Sequence, residues 1–259
     1  MRKPIQFIIP AAGSGSRFAN KGYLLPKPLI EVGNLPMLLW VLGNFDIENG
    51  DRVLIISQKK HQIQNQIRNI LKSSNLNCDY LECESLTDGP ASTVLLAENW
   101  LVPELPVVVA NSDQFVSRGL SDFVSQIRLG TSDSYILTME ASGNKWSYIQ
   151  RDHEDNIINI VEKIEISREA TVGIYAWAKA SHMVDAIKSQ FEANFRVNNE
   201  FYIAPTYNFL LEKGLEIQTY SCGTHADAVH GLGTPEDLEI FLAREDFNLY
   251  LKILQNKFF

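Results

Sequence analysis

The chain has 259 residues, 45% hydrophobic and 21% charged, and its formal net charge is −8 because 31 acidic residues outnumber 23 basic ones. This composition excludes long disordered or collagen-like segments and supplies enough apolar side chains for a full-sized core. The acidic balance argues against nonspecific nucleic-acid binding, which needs a basic surface. No apolar run approaches the roughly 20 residues that a bilayer span needs.

The first half of the chain alternates short apolar runs with segments of helical length. The predicted strands are Ile5–Ile9, Val53–Ser57, Asp79–Cys83, Pro106–Ala110 and Tyr135–Met139. The predicted helices are Pro36–Phe45, His61–Leu71, Pro90–Leu101 and Leu120–Leu129. Strands that alternate with helices predict an α/β fold with a mostly parallel sheet covered on both faces.

The second half is more mixed. The segments Ser147–Arg151 and Ile157–Val161 flank a polar turn and predict a β-hairpin, and Val172–Trp177 and Glu216–Tyr220 predict further strands. The predicted helices run from an N-cap at Ser181 through Phe195, over Phe201–Lys213, and from Thr234 towards Lys257. No Ser/Gly/Pro-rich linker separates two domains, so we expect one domain over 1–259.

The cysteines and the start of the chain bear on its location. Cys78, Cys83 and Cys222 form no CxxC pair, and such a sparse, odd set suits a reducing cytoplasm better than a disulfide scaffold. The first residues combine a basic tip with a short apolar run, as a signal peptide does, but Gln6 and Pro10 interrupt that run. We therefore expect a cytoplasmic protein that opens with a buried strand and enters no membrane.

The loop after the first predicted strand carries the most informative chemistry. In Ala11-Ala12-Gly13-Ser14-Gly15-Ser16-Arg17, small residues let backbone N–H groups approach an anion, and Arg17 adds a planar cation suited to phosphate oxygens. Lys27 stands between two prolines that stiffen its backbone. Phe18 occupies the third-glycine position of a dinucleotide fingerprint, and no Gly-Lys-Ser/Thr tripeptide of a P-loop follows. The segment predicts a phosphate-binding loop of another kind.

These residues resemble the signature of the sugar nucleotidyltransferases, or nucleotide-sugar pyrophosphorylases, a family that includes glucose-1-phosphate thymidylyltransferases and phosphocholine cytidylyltransferases. The resemblance implies a Rossmann-like, GT-A-like fold with a small acceptor lobe of hairpin and helices. It implies that residues 1–140 bind a nucleotide, and that residues 141–259 bind the acceptor and supply the C-terminal helix. The implied reaction is Mg²⁺-dependent transfer from an NTP to a phosphorylated small-molecule acceptor, with release of pyrophosphate.

On the nucleotide side, the resemblance implies that the loop holds the triphosphate and that the segment at Gly89 contacts the base and ribose. The implied nucleotide-binding residues are Ala11, Ala12, Gly13, Ser14, Gly15, Arg17, Lys27, Asp88, Gly89 and Ser112. An alternative for Gly89-Pro90 is a helix start without a ligand, since this pair is common turn chemistry.

A metal site is expected where Asn111-Ser112-Asp113 follows a buried strand, at the edge where open α/β sheets bind ligands. A carboxylate there can hold Mg²⁺, and the resemblance implies that Asp113 does so. The alternative is an Asx turn. The family often has a second aspartate two residues before Gly-Thr, but Gly231 occupies that position. Either Asp227 or His230 compensates, or one protein ligand and the phosphates suffice.

On the acceptor side, the resemblance implies a second set of residues. They are Tyr148, Glu162, Lys163, Thr171, Gly173 and Glu200. Glu162 would contact sugar hydroxyls, Lys163 the acceptor phosphate, and Gly173 would let the acceptor lie against the backbone. Ile149 replaces a family glycine beside Tyr148 and would reshape the pocket. Glu200 alternatively serves as helix N-terminal charge.

The implied reaction needs no protein nucleophile, because the acceptor is already an anion and charge neutralisation is the main requirement. The catalytic candidates are Arg17, Lys27, Asp113 and Lys163. The resemblance favours CTP, dTTP or UTP, a sugar 1-phosphate or similar acceptor, and a role in capsule or surface polysaccharide synthesis. Two alternatives stay open: a GT-A-type glycosyltransferase and a non-catalytic nucleotide-binding protein. Whether the chain forms a homo-oligomer is also open.

Overall fold

The structure, a computed structural model, describes residues 2–73 and 76–259. The strands are β1 (Gln6–Ala11), β2 (Glu31–Val32), β3 (Leu35–Pro36), β4 (Arg52–Gln58), β5 (Asp79–Cys83), β6 (Val107–Ala110), β7 (Gln114–Val116), β8 (Ser134–Glu140), β9 (Ser147–Arg151), β10 (Ile157–Glu162), β11 (Glu169–Trp177), β12 (Ile217–Thr224) and β13 (Val229–Gly231). The helices are α1 (Ser16–Ala19), α2 (Met37–Gly43), α3 (Ile63–Ile70), α4 (Pro90–Leu95), α5 (Leu120–Leu129), α6 (Ala180–Glu192), α7 (Thr206–Glu212), α8 (His225–Ala228), α9 (Pro235–Leu242) and α10 (Phe247–Phe258).

The central sheet is built on β1, which pairs in parallel with β4 on one side and β6 on the other. β5 extends the parallel part beyond β4. Past β6 the sheet becomes antiparallel through β11, and the hairpin β9–β10 forms that edge, while β8 and β12 branch from β11. The α/β fold class with a large sheet flanked by helices is confirmed.

Apolar side chains cover both faces of this sheet and form two core clusters. On one face, helix α2 is buried on every side from Met37 to Leu42, and its Trp40 donates an indole hydrogen bond to the carbonyl of Val32 at 2.9 Å. On the other face, α4, α6 and α7 pack around Trp177 of β11. Burial on both faces agrees with the mostly apolar residues of the central strands β1, β4 and β6.

Strand β1 runs two residues further than the apolar run Ile5–Ile9 indicates. Pro10 and Ala11 still pair with β4, whereas pairing with β6 ends at Ile8. A proline lacks an N–H donor, so it fits where the strand has a partner on one side only. The chain therefore passes directly from a paired strand into residues 11–17, the predicted phosphate-binding loop, which we call the phosphate loop.

Three predicted helices have different limits in the structure. α4 ends at Leu95, α6 begins at Ala180 with Lys179 rather than Ser181 as N-cap, and α7 begins only at Thr206. The segment from Phe201 instead pairs through its backbone with Asp88 and Ala91. The backbone N–H and carbonyl of Phe201 are used in this pairing and are therefore not available for helical hydrogen bonds.

The predicted long C-terminal helix is two helices, α9 and α10. Thr234 caps α9 as expected, since its hydroxyl accepts the N–H of Asp237 at 3.1 Å. The chain then turns before α10, and Phe241 and Phe247 both pack on Trp40, with ring centroids 5.0 and 5.5 Å away. In one straight helix these two rings would point about 120° apart. The turn lets both be buried.

A short antiparallel ribbon, β7 with β13, was not predicted. It places Gly231 opposite Gln114, and the N–H of Leu232 donates to the carbonyl of Asp113 at 2.8 Å. The ribbon thus places residues 229–232, which precede α9, beside the carboxyl end of β6. Across the described ranges, no helix has the length and apolar character of a bilayer span.

Candidate active site

Two adjoining cavities lie at the carboxyl ends of β1 and β6. The loop cavity, about 400 Å³, is lined by the phosphate loop, Gly89 and Ser112. The hairpin cavity, about 330 Å³, is lined by residues of the β9–β10 hairpin and β11. Both cavities share the residues Arg17, Pro90, Asn111, Asp113, Lys163, Tyr202 and Gly233. A ligand in one cavity would meet a ligand in the other at these shared residues.

The phosphate loop turns sharply at Gly15, whose φ of +64° is one that residues with a Cβ adopt rarely. The Gly15 carbonyl accepts the N–H groups of Phe18 and Ala19, which starts the single turn α1. Gln58 of β4, a buried residue that sequence reasoning missed, donates its side-chain amide to the carbonyl of Ala12 at 2.6 Å. This hydrogen bond anchors the loop to β4 of the sheet. A Cβ at Gly13 would have no atom within 4 Å, so this position faces open space.

Lys27 and Asp113 are brought together across the loop cavity. Nζ of Lys27 lies 2.6 Å from Oδ2 of Asp113, and each side chain is about a quarter exposed. A Cβ atom at Gly233 would lie 2.6 Å from the same oxygen. Glycine at position 233 therefore lets the Asp113 carboxylate approach the backbone of that segment closely.

The predicted nucleobase contact has a defined backbone. Gly89 has a φ of +115°, and a Cβ there would lie 2.6 Å from the carbonyl oxygen of Phe201. The N–H of Phe201 donates to Asp88 at 2.8 Å, and the N–H of Ala91 donates to Phe201 at 3.0 Å. These contacts place residues 196–202, which we call the strap, beside the loop cavity, and its residues Glu200 and Tyr202 line that cavity.

In the hairpin cavity, the carboxylate of Glu162 accepts a hydrogen bond from the hydroxyl of Ser147. Glu162 is only 7% exposed, and this burial raises the pKa of its carboxyl above its ordinary value. The hydroxyls of Thr171 and Tyr175 share a hydrogen bond of 2.9 Å. Gly173 lies in a β-bulge of β11 with a φ of +85° and lines this cavity.

Most predicted site residues line the cavities. On the loop cavity these are Ala12, Gly13, Ser14, Gly15, Arg17, Lys27, Gly89, Ser112, Asp113, Lys163 and Glu200. On the hairpin cavity they are Arg17, Asp113, Glu162, Lys163, Thr171 and Gly173. Glu200, expected near the acceptor, thus stands on the wall of the loop cavity.

Three predicted residues do not line either cavity. Ala11 is buried at the end of β1, and the Asp88 carboxylate pairs outward with Arg196 at 3.1 Å. Tyr148 is fully buried, and its hydroxyl donates to the carbonyl of Gly143 at 2.6 Å. Alternation along β9 turns Tyr148 into the core while Ser147 faces the cavity, which corrects the expectation for the tyrosine.

Neither residue suggested to compensate for Gly231 reaches the cavities. Asp227 accepts a hydrogen bond from Thr224 on the surface at α8. His230 is buried among aromatic rings, and burial, with Arg244 nearby, lowers its pKa to about 4. Asp237 instead lines the hairpin cavity, and a Cβ at Gly231 would lie 3.5 Å from its Oδ2. The Asp237 carboxylate of α9 therefore lies beside Gly231, at ordinary van der Waals distance from a Cβ placed there.

Sequence reasoning also missed two polar residues of the cavities. Gln114 is 8% exposed, lines the hairpin cavity, and its buried Oε1 has no hydrogen-bond partner among the described residues. Tyr202 lines both cavities. Gln114 follows Asp113 directly, but no sequence pattern distinguishes it from a solvated loop residue.

Residues 6–204 match the model of the nucleotidyl transferase family. The chain belongs to this family. The glucose-1-phosphate thymidylyltransferase of Streptomyces antibioticus is 25% identical over 217 residues, which cover 82% of this chain and 59% of that relative. The chain spans about half the length of the curated relatives it matches.

Solved structures of nucleotidyl transferases have the same fold. The nucleoside-diphosphate-sugar pyrophosphorylase from Vibrio cholerae superposes with a TM-score of 0.79 at 25% identity, over 92% of this chain and all of that one. The inositol-1-phosphate CTP transferase from T. maritima gives a TM-score of 0.74 at 15% identity, over 98% of both chains, and this likeness concerns the fold alone. The family resemblance stated from the phosphate loop is confirmed.

Proposed function

We propose that the protein transfers a nucleotidyl group from an NTP to a phosphorylated small molecule and releases pyrophosphate. The observation that carries this proposal is the junction of the two cavities, where Arg17, Lys163 and Asp113 line both. One cavity has the loop predicted to bind phosphates, and the other is lined by the buried polar residues Gln114 and Glu162. Two anionic substrates would therefore meet beside two cations.

In this proposal the NTP lies in the loop cavity, with its phosphates on the backbone of Gly13–Gly15. An oxygen of the acceptor phosphate attacks the α-phosphorus, and the bond to the bridging oxygen of pyrophosphate breaks. Arg17 and Lys27 stabilise the leaving pyrophosphate, and Lys163 holds the acceptor phosphate. The chain supplies position and charge rather than a covalent intermediate.

The donor set fits Mg²⁺, which binds through one or two carboxylates and keeps phosphates and waters as its other ligands. We propose that Asp113 and Asp237 hold it, since both carboxylates line the hairpin cavity. Within the described residues, no group of three or more histidine, cysteine, aspartate or glutamate side chains is placed to hold a metal ion, so the protein offers few ligands. A bound Mg²⁺ supplies charge neutralisation at phosphate oxygens.

The hairpin cavity favours an acceptor with hydroxyl groups. The Oε1 of Gln114 lacks a donor, and the Glu162 carboxylate has one donor, Ser147, among the described residues. Sugar hydroxyls can supply the missing donors, whereas the trimethylammonium group of phosphocholine has none. We therefore propose a sugar 1-phosphate or a similar polyol phosphate, used in the cytoplasm for capsule or surface polysaccharide precursors, with CTP, dTTP or UTP as donor.

A pyrophosphate-release assay tests the proposal. CTP, dTTP, UTP, GTP and ATP are each combined with glucose 1-phosphate, mannose 1-phosphate, inositol 1-phosphate and phosphocholine, with Mg²⁺ and coupled pyrophosphatase. Pyrophosphate release that requires both substrates supports the proposal. NTP binding without turnover across the panel would favour a non-catalytic nucleotide-binding protein, and consumption of a nucleotide-sugar would favour a glycosyltransferase.

A further inference from the structure

Lys163, Tyr202 and Glu200 form a chain of hydrogen bonds across the junction of the two cavities. The ammonium of Lys163 donates to the hydroxyl of Tyr202, and that hydroxyl donates to Oε2 of Glu200 at 2.6 Å. Burial, followed by the bond to Glu200, raises the pKa of Tyr202 above its ordinary value, so the phenol stays protonated. The oxygen of Tyr202 is thereby oriented to accept from Lys163.

The strap fixes the position of Tyr202. Its carbonyl accepts the side-chain amide of Gln190 at 3.1 Å. Its neighbour Phe201 is held by two backbone hydrogen bonds to 88–91, and the Phe201 ring stacks near Phe191 with centroids 4.2 Å apart. The Tyr202 hydroxyl therefore has a fixed place on the cavity wall.

Lys163 needs such support. Its backbone has a φ of +60° directly after β10, and its side chain has four rotatable bonds that cost entropy to order. No carboxylate oxygen of the described residues lies within ion-pair distance of its Nζ, in contrast to Lys27 with Asp113. A neutral phenol holds the ammonium in place without neutralising it, so the full charge stays available for a phosphate.

We propose that Tyr202 is a positioning residue that holds the Lys163 ammonium at the junction, ready for the phosphate of the acceptor. The inference rests on the proposed function and adds a residue that the sequence did not point to. Glu200, on this account, orients the phenol and need not touch the acceptor.

A double-mutant cycle tests this role. Tyr202→Phe is expected to raise the KM for the acceptor about tenfold, the scale of one hydrogen bond to a charged group, and to leave the KM for the NTP within about twofold. In a Lys163→Gln background, the same substitution is expected to have no further effect, because the two residues act as one unit. Glucose 1-phosphate and inositol 1-phosphate are the probes, at enzyme concentrations raised for the weak variants.

Tyr207→Phe is the matched control. It also removes a tyrosine hydroxyl, but that group donates to backbone carbonyls of the core and faces neither cavity. It is expected to lower the melting temperature without raising the acceptor KM. A Tyr202→Phe enzyme with normal KM, or equal losses in both backgrounds, would overturn the inference. If the unmodified protein releases no pyrophosphate with any pair, the proposed function fails and the inference with it.

Discussion

Lys27 and Asp113 stand 86 positions apart in the sequence, yet Nζ of one lies 2.6 Å from Oδ2 of the other. The sequence suggested separate roles for them, the lysine for phosphates and the aspartate for a metal. In the folded chain each neutralises the other. In the proposed function Lys27 would contact substrate phosphates and Asp113 would hold the divalent cation, so substrate binding would separate this ion pair.

Replacing Asp113 with asparagine tests its role. Asp113→Asn is expected to lower turnover by about 10²–10³-fold, as loss of an electrostatic stabiliser does. A partly exposed ion pair contributes at most about 1 kcal/mol, so the free energy of unfolding should change little. Pyrophosphate release and urea denaturation measure the two effects. A folded variant with near-normal turnover contradicts the role in catalysis, and a variant that unfolds contradicts the small effect expected on stability.

Asp237 is expected to strengthen metal binding. Asp237→Asn should raise the Mg²⁺ concentration for half-maximal activity about tenfold or more, and should weaken Mn²⁺ binding to the CTP complex in a titration followed by electron paramagnetic resonance. Glu236→Gln is the control, because Glu236 is its exposed neighbour and pairs with Lys21 at 3.2 Å. Equal Mn²⁺ affinities for the two variants would remove Asp237 from the metal site.

The Gln114 side chain is expected to contribute to acceptor binding and to lower the free energy of unfolding. Its buried Oε1 lacks a partner among the described residues, and such an atom costs about 1–3 kcal/mol of desolvation. Gln114→Met is therefore expected to leave the free energy of unfolding unchanged or higher, while the acceptor KM rises. Thermal unfolding and acceptor kinetics measure both quantities. A clear loss of stability would show that Oε1 already has a partner.

Glu162 is also expected to contribute to acceptor binding while lowering the free energy of unfolding, and its effect on stability should depend on pH. Burial raises its pKa in the folded chain, so the folded state binds the proton more tightly than the unfolded state. The stability linked to this proton is present below the ordinary pKa of 4.5 and is lost as pH rises through the folded value. Glu162→Gln should therefore be the more stable protein at pH 7.5, and the difference should vanish below pH 4.5. Its acceptor KM should rise.

His230 is expected to change folding stability with pH in the opposite direction to Glu162. Its pKa falls from the ordinary 6.5 to about 4, because burial and Arg244 disfavour the imidazolium. Between these values the unfolded chain binds more protons, so wild-type stability should drop as pH falls from 6.5 to 4, by about 3 kcal/mol.

Two histidine variants test whether His230 causes this pH dependence. His230→Phe keeps a ring beside Phe115 and Phe241 and should lose most of the pH dependence over this range. His153→Asn, at an exposed position, should keep it. Denaturant unfolding at several pH values compares the three proteins, and parallel curves for all of them would exclude His230 as the source.

Local patterns predicted the main strands and much of the helices well. The run from Val53 forms β4, the polar turn between Arg151 and Ile157 connects the two strands of a hairpin, and Thr234 caps a helix. These features depend on residues within a few positions of one another. Errors arose where distant contacts compete with local preference, as at Phe201, whose backbone bonds to Asp88 and Ala91 instead of starting a helix.

The amino-acid sequence alone determined the family resemblance and predicted a phosphate-binding loop with two cations, because small residues beside Arg17 and a lysine between two prolines can be recognised from neighbouring positions. Only the tertiary structure decided which groups face one another: Asp237 beside Gly231, and Tyr202 against Lys163. These pairs join segments that meet only when the sheet, the β7–β13 ribbon and the strap are assembled. The physical reason is that an ion pair or a hydrogen bond depends on distance in space, which chain order leaves undetermined.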